Sequence, residues 1–286
     1  MQANTAPQPG AARLGFGCAH LPGMLRETDA LALLETALDS GITHFDTAPL
    51  YGWGAAEPLL GQLAARRRDE MTIVTKVGIA PPDLRARAIG KLSGRAPSPR
   101  FGRFGADQVQ ESFEDSLRAL RTDRVEALLL HEIELEHVTD ELLSVLERLK
   151  RDGKALALGL ATSAAHSKAI LRAHGDRFDI VQIAMDAVFP TTNALPILHS
   201  VIASSIALRL SRLSRENIHA FEEETGFRLS EPAHRAQILL RIAMAKNVHG
   251  VTLFSSSRAE HVKANAQLAA ADTALLGAVE RFQAQA

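Results

Sequence analysis

Short apolar runs rich in Val, Ile, Leu and Ala recur along the chain, separated by longer amphipathic stretches. Eight of these runs read as strands, over residues 14–19, 43–48, 72–78, 125–132, 155–161, 180–186, 201–206 and 250–255. Several are nearly continuous rather than alternating, which suits strands covered on both faces, as in a parallel sheet.

The stretches between them carry a helical period. After Asp107, with Gln110 three residues on as in a capping box, Val109, Phe113, Leu117 and Leu120 fall on one face. Leu142, Val145, Leu146 and Leu149 repeat the pattern, and Gly153 stands where that helix should end. Ser230 and Pro232 open a further helix running towards Lys246.

Strands alternating with helices leave two main architectures, a closed barrel or an open doubly wound sheet. The open sheets that bind nucleotides usually carry G-x-G-x-x-G after a strand. Here Gly15 and Gly17 begin such a run, but His20 stands where the third glycine belongs. The expected fold is therefore an α/β, (β/α)8 TIM barrel, a single domain over residues 13–286 behind a flexible tail at 1–12. Two long connections, 79–105 and 209–229, follow the third and seventh expected strands. On a barrel they belong to the C-terminal face, where active sites lie. Their basic content either meets cofactor phosphates or is a solvated surface.

Four polar residues stand at or just beyond strand ends on that face. Asp46 closes the second run, and alone it reads equally well as a cap or turn residue. Tyr51, the single tyrosine, offers a phenol that can give a proton to a developing alkoxide, or else a packing aromatic. Lys76 interrupts an apolar strand, where an amine must be paired or pay for desolvation. A cation beside Tyr51 is expected to lower the phenol's pKa, with Asp46 keeping Lys76 charged. His131 ends the run VEALLLH, a position more often bland than catalytic. On one rim the four form a constellation that none makes alone.

The segments GITHFDTAPLYGWGAAEPLLG, TIVTKVG and LLLHE resemble the aldo-keto reductase superfamily, including its aldose- and sugar-dehydrogenase-like members. The likeness in order and residue type runs from Leu14 to about Asn265. It implies a (β/α)8 barrel using NADP(H) in preference to NAD(H), without a Rossmann unit. In that family pattern Tyr51 is general acid in reduction and base in oxidation, Lys76 and Asp46 tune it, and His131 orients the carbonyl. Gln182 fits the glutamine under the nicotinamide amide. Ala161-Thr162 replaces the usual Ser-Asn, leaving Thr162 to bond the carboxamide. Ser204 falls where an aromatic commonly stacks on the nicotinamide. Ser255, Ser256, Ser257 and Arg258 precede a helix, and Ser257 with Glu260 makes a capping box that would cradle phosphate, with Arg258 on a 2′-phosphate. His261 replaces a frequent arginine, and Asn265 matches the asparagine facing adenine. Trp53 and His20 are candidate walls of the substrate pocket, or a loop anchor and a surface histidine.

The resemblance implies an oxidoreductase interconverting a carbonyl, in some members a sugar, with its alcohol. Two alternatives stay open: a cofactor-poor binding or regulatory barrel, resting on Ala161 and Ser204, and a lyase or isomerase using Tyr51 and Lys76 as an acid–base pair. The bulk numbers narrow the partners. With 32 basic and 33 acidic residues, net charge is −1, so no overall field draws the chain to nucleic acid or membrane. Its partner is expected to be a small carbonyl or alcohol. Cys18 is the only cysteine, which suits a reducing, cytoplasmic setting, and the first dozen residues lack the basic-then-apolar pattern of a secretory signal. Eleven scattered histidines without H-E-x-x-H spacing argue against a metal.

Overall fold

In a computed structural model of the chain, which describes residues 13–23, 25–82, 98–190 and 192–284, the apolar runs become eight strands. These are β1 (Arg13–Gly17), β2 (His44–Asp46), β3 (Thr72–Val77), β4 (Val125–His131), β5 (Ala155–Ala161), β6 (Ile180–Ala184), β7 (Leu195–His199) and β8 (Val251–Phe254). Each pairs in parallel with the next, and β8 returns to β1, so the sheet closes as a barrel. The expected tail 1–12 and positions 83–97 of the expected connection 79–105 lie outside the described residues.

Helices α1 (Glu27–Asp39), α2 (Ala56–Arg67), α3 (Ala106–Leu120), α4 (Asp140–Arg151) and α5 (Ala164–His174) follow the first five strands in turn. Each covers the sheet because its apolar stripe has nowhere else to go. On α3, Val109, Phe113, Leu117 and Leu120 are buried as their spacing predicts, and so are Leu142, Val145, Leu146 and Leu149 on α4. Each such side chain contributes roughly 1.5–3 kcal/mol by leaving water. Gly153 takes the left-handed conformation just past α4. The Asp107 cap does not form: Gly105 is the N-cap of α3, and Asp107 sits inside its first turn, where its charge still suits the helix dipole.

The pleat sorts side chains into two layers. Val74, Ala127, Leu129, Ala161, Ile197, Val251 and Leu253 fill the barrel interior. Leu128, Leu130 and Ile133 belong to the larger core between sheet and helices.

The second half departs from expectation. The seventh strand is Leu195–His199, not 201–206, which forms a short 3-10 turn (Val201–Ala203) and the start of α6 (Ser205–Leu210). Pro196 disguised the true strand, since proline lacks a ladder N–H, while the apolar run just beyond it mimicked one. The expected connection 209–229 is largely helical, holding α7 (Arg215–Thr225). Helix α8 (Pro232–Lys246) does start with proline in its first turn, but Glu231 rather than Ser230 is its N-cap. Helices α9 (Ala259–Ala266) and α10 (Thr273–Gln283) follow β8. Between β6 and β7 no helix occurs among the described residues. A small separate cluster of Val181, Ile183, Ala194 and Leu198 packs there against Ala164, Leu171, Ala187 and Phe189.

Candidate active site

Every second residue of a strand faces the barrel axis, so the last inward residue of each strand meets its neighbours at the C-terminal rim. Register pairs Gly17 with Asp46, Lys76 with Leu129, His131 with Ala161, Ala161 with Gln182, and Ala184 with His199. Above this layer opens a cavity of about 680 Å³, whose walls include Asp46, Tyr51, Lys76 and His131. Residues spread over 86 positions of sequence are thus brought onto one rim.

Lys76 and Asp46 are 1% and 2% exposed, a burial neither charge tolerates alone. Lys76 Nζ donates to Asp46 Oδ1 at 2.6 Å and to the Thr47 carbonyl at 3.0 Å. Burial works to lower the amine's pKa, but Asp46 and Tyr51 outweigh it and hold it above the usual lysine range. Lys76 therefore stays cationic.

Tyr51 opens a 3-10 turn (Tyr51–Gly54) beyond β2, its N–H bonded to the Ala48 carbonyl at 3.0 Å. Lys76 Nζ lies 4.8 Å from the centre of the phenol ring. The expected lowering of the phenol's pKa does not occur. Removal from water raises it, and the Lys76 charge only offsets part of that rise. At neutral pH the group is accordingly the protonated phenol, an acid with its proton in place.

His131 meets Tyr51 edge to face, with ring centroids 6.0 Å apart at 89°. Burial, reinforced by the Lys76 charge, pushes its pKa down to about 3. It is a neutral imidazole over the physiological range. Its Nδ1 is buried without a partner among the described residues, which leaves Nε2 as the nitrogen able to address the cavity. A neutral imidazole can orient an oxygen by hydrogen bonding but carries no acidic proton at neutral pH. The Cys18 thiol, buried near Asp46 and Lys76, is pushed far above its ordinary range and is inert as a nucleophile.

Of the residues expected on a cofactor, Thr162, Gln182 and Ser255 line the cavity. Gln182 is 4% exposed, and its Oε1 has no partner among the described residues. A buried, unsatisfied amide oxygen on a cavity wall is the feature a carboxamide N–H would complete. Gly17, Ala161, Ala184 and Ala187 keep the adjoining walls low.

Ser204 is not at the end of the seventh strand. It lies five residues later as the buried N-cap of α6, its hydroxyl accepting from the Ala207 N–H at 3.4 Å. The inward residue that closes β7 is His199, which the misplaced strand concealed. Its ring lines the cavity and bonds Ser200 Oγ at 2.8 Å. Ser256, Ser257, Arg258, His261 and Asn265 follow β8 and are not among the residues lining this cavity. The expected capping box fails there: Arg258 is the N-cap of α9, and Ser256 Oγ instead accepts from the Arg258 N–H at 3.1 Å. Arg258 stays exposed, 3.6 Å from the Glu260 carboxylate.

His20 lines the cavity, whereas Trp53 does not and is 49% exposed on the turn after Tyr51. Two acids escaped the sequence reading. Glu132 stands on the cavity wall beside His131. Glu57, in the first turn of α2, is buried and accepts a 2.6 Å hydrogen bond from Thr75 Oγ1. Burial raises its pKa to about 7, with the Thr75 bond pulling the other way. A clue to Glu57 existed in its place on an otherwise buried helix face. Among the described residues no group of His, Cys, Asp or Glu gathers as a metal site, and no helix is long and apolar enough to cross a membrane.

Comparison with known proteins puts this geometry in context. The model of the aldo/keto reductase family matches residues 13–208. The chain is 32% identical over 186 residues to a D-threo-aldose 1-dehydrogenase of Pseudomonas sp, covering 60% of this chain and 56% of the relative. It is 31% identical over 156 residues to an L-galactose dehydrogenase of Arabidopsis thaliana, covering 51% and 43%. The match thus spans about half the length of these relatives. The glycerol dehydrogenase of Gluconobacter oxydans has the same fold, with a TM-score of 0.74 at 18% identity over 96% of this chain and 92% of its own. An aldo-keto reductase of Klebsiella pneumoniae, solved in complex with NADPH, gives 0.69 at 20% identity over 94% and 90%.

Proposed function

The chain belongs to the aldo/keto reductase family, and from that premise we propose that it is a nicotinamide-dependent oxidoreductase interconverting a small aldehyde or ketone with its alcohol. The observation that carries this reading is the buried Asp46–Lys76 pair held against a protonated Tyr51 at the floor of a cavity, with neutral His131 beside it.

The substrate oxygen is bound between Tyr51 and His131. His131 Nε2 hydrogen-bonds it and fixes its direction. Tyr51 Oη gives its proton to that oxygen as negative charge develops there, and the Lys76 cation stabilises the phenolate left behind. In oxidation the same phenolate takes the proton from the alcohol. Asp46 keeps Lys76 charged through both directions.

A nicotinamide bound here supplies or accepts the hydride at the carbonyl carbon. Gln182 and Thr162 would hold its carboxamide, and the unpartnered Gln182 oxygen supports that fit. His199, on the same cavity wall, would be a further contact for it. Arg258 and the serines before α9 would meet the far phosphates, which favours NADP(H) over NAD(H). The name of the NADPH-bound Klebsiella protein supports the same preference.

The reading of a cofactor-poor barrel rested on Ala161 and Ser204. With His199, not Ser204, closing β7, half of that support is gone. Titrating the protein with NADPH and NADH by fluorescence, then following nicotinamide absorbance over a panel of aldehydes, ketones and sugars, tests the proposal. Binding of NADPH with turnover of at least one carbonyl is expected. No binding of either cofactor would overturn it, and turnover without any cofactor would point to lyase or isomerase chemistry.

A further inference from the structure

Along β4, Ala127, Leu129 and His131 turn inward, while Leu128 and Leu130 turn outward to the helices. Continued by one residue, the pleat would send Glu132 outward too. It does not. Glu132 adopts φ 56°, in the left-handed region that favours glycine, with its N–H bonded to the Ala161 carbonyl at 2.9 Å. The turn brings a residue due to face the helical layer onto the cavity wall next to His131. Such a conformation costs a side-chain-bearing residue on the order of 1 kcal/mol and persists where something over-determines it.

The carboxylate has no hydrogen-bond or ion-pair partner among the described residues; burial raises its pKa and the nearby His166 ring pulls it back down. Asp46, the other acid on the wall, is cancelled by Lys76. His131 and His199 are both pushed towards their neutral forms by burial. Among the described residues Glu132 is therefore the acid on the wall that no ion pair neutralises, with His166 its electrostatic neighbour. The same cavity is also lined by groups suited to hydroxyls: Thr162, Ser163, Ser200 and His20.

We propose that Glu132 is a specificity-determining residue that accepts a hydrogen bond from a substrate hydroxyl near the carbonyl and repels substrates carrying a carboxylate there. The substrate class is then neutral, hydroxylated carbonyl compounds, sugar-like in chemistry. The inference rests on the carbonyl-reductase reading of the same cavity.

The test compares benzaldehyde with its meta-hydroxymethyl and meta-carboxy derivatives, using wild-type protein, Glu132→Gln and Glu132→Gly with NADPH. Wild type is expected to favour the hydroxymethyl over the carboxy compound by about tenfold or more in kcat/KM, the scale of one like-charge contact near a protein surface. Glu132→Gln should bring that ratio to within about threefold, with the change carried by KM. Glu132→Gly should show the same loss of discrimination with a melting temperature no lower than wild type, since glycine accepts this backbone freely. An unchanged ratio in both variants, or an equal fall for all three aldehydes, would overturn the assignment. If wild type turns over none of them, the carbonyl-reductase reading suffers. Calorimetric binding of the matching benzyl alcohol and benzoate then decides the role of Glu132. A wild-type preference for the alcohol that Glu132→Gln erases supports it, and equal affinities in wild type sink it.

Discussion

The two halves of the barrel are built to different rules. From β1 to β5 a helix follows each strand, the outer core is continuous, and Asp46, Tyr51, Lys76 and His131 all project from this side. From β6 onward the rhythm breaks. β6 passes to β7 without a helix among the described residues, the apolar cluster there is small and separate, and three helices crowd behind β7. The candidate cofactor contacts Gln182, His199, Ser255 and Arg258 belong to this second half. The family match ends at residue 208. On the proposed reading, proton chemistry falls to the regular half and, Thr162 at the end of β5 apart, cofactor recognition to the irregular one. A regular half can hold a buried ion pair rigidly, while varied loops can adjust what is bound.

If that division holds, mutations in the two halves should separate rate from affinity. The largest effect is expected at Tyr51. Replacing it with Phe keeps the ring and its packing but removes the proton donor, so reduction should fall by about 100- to 10,000-fold. NADPH affinity, read by fluorescence titration, should stay near wild type. A Tyr51→Phe protein reducing a good substrate at the wild-type rate would sink the assignment.

Next in size is the ion pair. Lys76→Met leaves Asp46 buried without its partner, and loss of one member of a buried pair costs about 3–5 kcal/mol of stability. Urea unfolding should show that loss, and activity should fall because the phenolate is no longer stabilised. Adding Asp46→Asn should recover much of the stability and none of the rate. A double variant as active as wild type would show that the cation is structural only.

Glu57 sharpens the comparison from the structural side. Its folded pKa of about 7 lies above the ordinary 4.5, so the folded state binds more protons than the unfolded one between those values. Stability from this group is full below about pH 4.5 and is lost as pH rises through 7. The loss amounts to about 3 kcal/mol above pH 7. Glu57→Gln should therefore be more stable than wild type at pH 8, an advantage that shrinks as pH falls towards 5. An advantage independent of pH would show that the carboxyl is not protonated in the fold.

The smallest effect belongs to the second half. Arg258→Ala should weaken NADPH by about tenfold while leaving NADH nearly untouched, since a charge-assisted contact is worth about 1.5–3 kcal/mol. Equal loss for both cofactors would show that Arg258 does not meet the 2′-phosphate, and unchanged kcat is expected throughout.

Legibility in the sequence followed the same division. Asp46 and His131 close their strands and Lys76 stands one residue before the end of β3, so each could be placed at a strand end from its own short segment, most directly on the apolar run of β4. Tyr51 stood out as the single tyrosine, just beyond the second strand. In the second half Pro196 hid a strand and Val201–Ala203 imitated one, which moved the cavity residue from His199 to Ser204. Trp53 looked like a pocket wall by its nearness to Tyr51. The positive φ values of Gly52 and Trp53 turn the chain there, and the indole does not reach the lining.

By itself the sequence determined the alternating architecture, the helix faces and the four polar residues that an apolar strand end cannot carry without a reason. These follow from local periodicity and from the cost of burying charge, both properties of short segments. Tertiary structure alone decided the sign of the Tyr51 shift, because that depends on how much water the closed barrel removes against one cation 4.8 Å from the ring. It also decided that Glu132 faces the cavity and Glu57 a dry helix–strand seam. Whether a carboxylate meets solvent, a partner or a cavity is set by what folds against it, and no window of neighbouring residues contains that.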